Sequence, residues 1–144
     1  MHVFQGALVR PPGFEWGYCP ESAASGIGIE GPAWLVEGSA EVVGWAALIH
    51  SPYGPRAGLS SDPEDLLARA FAPGLEAPLR LEDLASWEAW NLQDPQVAYS
   101  LAHAGGTALT DIAGRSSLFE YFRLLGRGQC WEEAFTAAFG FTAD

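Results

Sequence analysis

The sequence predicts a mainly α fold, a compact bundle of about six helices, and three observations carry that expectation. The stretch 32–50 is apolar or glycine apart from Glu37, Ser39 and Glu41 between its ends, which marks a helix meant for the interior. Two Asp-Pro pairs, Asp62-Pro63 and Asp94-Pro95, each open a helical segment with an acid at the N-cap and proline at the first position. No strand-length alternation stands out beyond a short piece within 13–31.

Taken in order, residues 1–9 are mostly apolar and give a helical turn or two, stopped by Pro11-Pro12. Residues 10–31, rich in Gly and Pro, read as a long loop with room for a short hairpin. Pro32 then sits at a favourable first-turn position of the central helix, which His50, Ser51, Pro52, Gly54 and Pro55 end. His50 reads as a helix C-terminal residue that suits the dipole. A helix over 62–71 runs to Pro73-Gly74. Residues 81–90 form a weaker helical stretch with Leu81, Leu84, Trp87 and, at its end, Trp90 on one side. The helix opened by Asp94-Pro95 reaches Ile112 and stops at Gly114. Gly105-Gly106 inside it disfavours helix by about 1 kcal/mol per glycine against alanine, and such glycines often mark a close helix–helix approach. Residues 116–125 are amphipathic with Leu118, Phe119, Phe122 and Leu125 inward. Residues 130–139, with Trp131, Ala134, Phe135 and Ala138 at helical spacing, close the fold before Gly140. Trp34, Trp45, Trp87, Trp90 and Trp131 are assigned to the core.

At 144 residues the chain amounts to one domain, 1–144, long enough to bury a core. Eighteen acidic residues against seven basic ones, a formal charge of −11, argue against nucleic acid and against docking on anionic lipid, both of which need a basic surface. The longest unbroken apolar run, 42–49, is too short to cross a bilayer, and no signal peptide is read at the N-terminus; the localisation is left open. Cys19 and Cys130 form no CxxC pair; one disulfide between them and two free thiols both remain open, Cys19 reading as a loop thiol.

The chemistry concentrates on the central helix. At 100° per residue Glu37 lines up with Ala33, Ala40, Gly44 and Leu48, and Glu41 lies one turn on. Burying an ionised carboxylate without a partner is costly, so these two acids call for an arginine such as Arg80 or Arg115, a hydrogen-bonding network, or a metal ion.

Trp34-Leu35-Val36-Glu37-Gly38-Ser39-Ala40-Glu41 resembles the second metal-ligand helix of the gluzincin zinc metallopeptidases, W-L-x-E-G-x-A-E. His2-Val3-Phe4-Gln5 resembles the second His of HExxH with the two apolar residues and Gln that come after it in that family. Ala98-Tyr99-Ser100, Gly114, the 118–126 helix and Glu133-Ala134-Phe135 with Phe139-Gly140 look like the family's C-terminal helical part, closest to its peptidase MA-like branch, so that the likeness covers nearly the whole chain.

The resemblance implies a zinc site with His2 and Glu37 as ligands, Glu41 as an outer or solvated acid, and Tyr99 as a group that hydrogen-bonds the transition-state oxyanion of a peptide or protein substrate. His103, one turn from Tyr99, could share the site or be an ordinary surface histidine. The first His and the catalytic Glu of HExxH would fall ahead of Met1. The expectation is therefore a truncated catalytic domain that binds zinc weakly and hydrolyses no peptide as it stands. The alternative is a non-catalytic helical binding module on the same scaffold. It would be open to homodimerisation through an apolar groove left where the missing helix would pack.

Overall fold

The computed structural model describes residues 19, 27–49 and 79–143, and these are helical apart from their connections. Five α-helices succeed one another: α1 (Ala33–Ile49), α2 (Trp87–Asn91), α3 (Pro95–Ala113), α4 (Ser116–Leu125) and α5 (Trp131–Phe139). A single 3-10 turn, Leu81–Leu84, precedes α2. Among the described residues there is no strand; an isolated bridge between Gly28 and Gly31 closes a turn just ahead of α1. The helical expectations for residues 1–9 and 62–71, and for the end of the central helix at His50, fall outside the described residues.

The Asp-Pro signature works as written in α3. The Asp94 carboxylate accepts the amides of Gln96 (2.9 Å) and Val97 (3.3 Å), satisfying two of the N–H groups that a helix start leaves bare. Gly114, at φ +83°, ends the helix. Gly140 closes α5 in the left-handed conformation (φ +85°). Pro32 lies one residue ahead of α1, where its carbonyl accepts from the amides of Leu35 and Val36. The amide of Ala33 donates to the carbonyl of Ala85 (2.8 Å), so α1 begins stitched to the turn between the 3-10 segment and α2.

Two elements differ from the sequence reading. The stretch 81–90 is broken, because Ser86 caps a new helix by accepting the Ala89 amide (3.1 Å). Leu84 and Trp90 turn inward while Trp87 is exposed. In α4 it is Tyr121 that is wholly buried and Phe119 that is exposed. Trp34 and Trp45 are half-buried, so of the five tryptophans assigned to the core from sequence, Trp90 and Trp131 are fully in it.

Among the described residues the apolar interior falls into two clusters. One joins α1 to α4 and α5 through Leu35, Val42, Leu118, Tyr121, Phe122, Phe135 and Phe139. The other joins the start of α1 to α2 and α3 through Ala33, Leu84, Trp90, Ala98, Leu101 and Ala102. Burial of α1 is nearly complete from Ala33 to Val42 and loosens beyond it, where Gly44 and Ala47 are exposed. None of the described helices is long and apolar enough to cross a membrane.

Candidate functional site

The most extensive helix–helix contact in the fold is between α1 and α3, and glycine makes it. A Cβ at Gly38 would lie 2.8 Å from the carbonyl carbon of Ala102 and closer still to its oxygen. A Cβ at Gly106 would lie 2.8 Å from the Gly38 carbonyl oxygen. The two backbones therefore touch directly, as the Gly105-Gly106 pair foreshadows. With no side chains between the helix axes, residues on the flanks of the contact are drawn together.

That flank carries the chemistry. Glu37 and Glu41 are one turn apart on α1, beside Gly38; Tyr99 and His103 are one turn apart on α3, beside Ala102. Glu37 is only 7% exposed. Tyr99 lies within electrostatic reach of it: burial first, then the Glu37 carboxylate and the Glu41 charge, hold the Tyr99 phenol above its ordinary value. The ring is set from behind by Trp90, edge-on at 5.1 Å between centroids. Tyr99 itself remains 38% exposed, so one side of it faces outward.

His103 is half-buried rather than a plain surface residue. Its Nδ1 is cut off from solvent and has no hydrogen-bond partner. Burial pushes its pKa down, and the Glu41 carboxylate opposes that shift. Burial thus favours the neutral imidazole, the form that can accept a proton or ligate a cation.

The fold brings together Glu37, Glu41, Tyr99 and His103. His2 lies outside the described residues. The arginine alternatives do not reach the acids in the way the sequence allows: Arg80 pairs with Glu82, and Arg115 is exposed at the turn into α4. Among the described residues no group of three or more His, Cys, Asp or Glu side chains is close enough to hold a metal ion. What the sequence reading does not supply is Trp90 as the backing for the Tyr99 ring, since that contact depends on how α2 turns after Ser86. Of the two alternatives open for the cysteines, the structure has the Cys19–Cys130 disulfide, which replaces the loop thiol expected at Cys19.

No family model matches this chain, and comparison with curated proteins and with solved structures finds no match either.

Proposed function

We propose that the α1–α3 flank is the Glu-bearing half of a gluzincin-type zinc site, and that the chain is the C-terminal part of such a metallopeptidase domain. The observation that carries this reading is the pairing of Glu37 with Tyr99. The resemblance assigns these two residues to one site from motifs some sixty positions apart, and the Glu37 charge acts on the Tyr99 phenol across the α1–α3 contact.

Glu37 fits one zinc ligand: it is a carboxylate buried on a helix, with a phenol in its electrostatic reach. It does not make a site alone. His2, and the donors that the resemblance puts ahead of Met1, would have to complete the ligand set. Bound zinc would supply the acidity that turns water into a nucleophile near neutral pH. In this reading Tyr99, held protonated by burial and by two acids, donates a hydrogen bond to the oxygen that gains charge as a peptide carbonyl is attacked. Trp90 keeps the phenol aimed. Glu41 lies one turn beyond the ligand and tempers the field around His103.

Zinc titration of the chain and of Glu37→Ala by calorimetry, with a peptidase assay beside it, tests the reading. The expected result is weak zinc binding that Glu37→Ala weakens further, with no hydrolysis. Identical binding by both proteins sinks the ligand assignment, and tight stoichiometric zinc with proteolysis sinks the truncation. The DNA upstream of the Met1 codon gives a separate check, since a gluzincin parent requires His-Glu and one further residue in frame immediately before it.

A second reading, a non-catalytic helical module that binds a protein partner or a second copy of itself, draws on Leu92 and Ile112. They are 79% and 70% exposed. A clean monomer by light scattering that binds no apolar dye would remove that support.

A further inference from the structure

Both cysteines of the described residues are consumed in one bond. Cys19 is buried at 7% exposure, well ahead of α1; Cys130 occupies the N-cap position of α5 in extended backbone. Their Cα atoms are 5.6 Å apart, inside the usual range of about 4.4–6.8 Å. The bond closes a sequence separation of 111 residues, so it ties the chain ahead of the candidate ligand helix to the last helix of the fold.

A second set of contacts runs in the same direction. The Tyr121 hydroxyl, from α4, donates to the Glu30 carbonyl (2.9 Å). Gly31, at φ +93°, sits under that hydroxyl and near Trp131 of α5, where a Cβ would collide. Ile27 packs on the α4–α5 cluster. The turn Ile27–Gly31 is thus seated on the C-terminal helix pair, and two residues later the chain enters α1. Of the devices that hold this approach, only the disulfide depends on the redox state of the surroundings.

We propose that the Cys19–Cys130 bond is a redox-conditional latch on the approach to α1, closed in an oxidising compartment where the chain works and opened by reduction. In closing, the two thiols lose two protons and two electrons to a disulfide oxidant, such as a disulfide oxidoreductase or oxidised glutathione, which is reduced to its dithiol or to two thiols. In opening, a dithiol such as dithiothreitol returns two electrons and two protons and becomes a cyclic disulfide. Cytosolic thiol buffers drive the second reaction and secretory compartments the first. The long separation makes the latch effective, because a cross-link over about 100 residues removes much of the unfolded chain's freedom.

The test is hydrogen exchange of the oxidised and the dithiothreitol-reduced protein, read at the amides of Gly31 and Ala33, together with the Cys19→Ser/Cys130→Ser double variant. Reduction is expected to raise opening at these amides by about a hundredfold to a thousandfold, and the double variant is expected to match the reduced protein with or without reductant. If the variant does not fold, the reduced wild-type protein decides: unfolding there supports the latch, and unchanged exchange overturns it. Alkylation of thiols in the cells that make the protein reads the compartment. Protection of both cysteines until reduction is expected, and free thiols in the native cell overturn the proposal.

Discussion

Around α1 and α3 the main chains themselves touch, Gly38 against Ala102 and Gly106, whereas α4 and α5 meet through rings. Tyr121, Phe135 and Phe139 interlock there with centroid separations of 6.4, 6.0 and 4.7 Å. The two kinds of contact respond differently to change. Rings and branched side chains can shift rotamer and refill part of a void; a backbone-to-backbone approach has nothing to shift. The stiff contact is also the one that bears Glu37, Glu41, Tyr99 and His103, so the candidate site rests on the part of the fold with the least freedom to adjust.

Gly38→Ala should be the most damaging of four substitutions that probe this contrast. Its methyl would land on the Ala102 carbonyl, and a loss of about 3 kcal/mol is expected, read as a fall in the denaturant midpoint. Phe135→Leu, in the aromatic half, should cost less, roughly 1.5 kcal/mol, because neighbouring rings can close in. A loss at Phe135 equal to that at Gly38 would erase the distinction.

Tyr121→Phe keeps the ring and deletes only the hydrogen bond to Glu30, for an expected cost of about 1 kcal/mol near neutral pH. It also carries a pH signature. Burial raises the Tyr121 phenol well above its ordinary value near 10, so the folded state keeps a proton that the unfolded chain gives up. Its contribution is intact below about pH 10 and lost as pH rises beyond. Wild-type stability should therefore fall in that alkaline range more steeply than that of Tyr121→Phe, and parallel curves would contradict the assignment.

Ser39→Ala should have the smallest effect, neutral or stabilising by up to about 1 kcal/mol, because the buried hydroxyl has no hydrogen-bond partner. A loss in thermal unfolding would mean that this hydroxyl does more than occupy space.

Local chemistry made much of this fold legible before any coordinates. The Asp94 cap, the Gly114 and Gly140 stops and the apolar belt of α1 each act within a few residues of themselves, which is the range a sequence reading covers. Glu37 and Tyr99 stood out for the same reason, each inside a recognisable helix. The misses are long-range. Tyr121 is turned inward, in place of Phe119, by a carbonyl 91 positions away. The burial of His103 comes from how closely α1 and α3 cross. The pairing of Cys19 with Cys130 rests on a meeting of distant segments that spacing alone leaves open. Ser86 is a different case: its capping power was readable, but the apolar spacing of 81–90 runs across it and hides the break.

One consequence is optical. Trp131 comes directly after Cys130 and is itself buried, with an indole N–H that meets neither water nor a protein acceptor. A buried indole emits toward the blue, and a disulfide close to one can quench it by accepting an electron. The residue after the bond is thus placed to report on it, and reduction of the disulfide is expected to change the emission of Trp131.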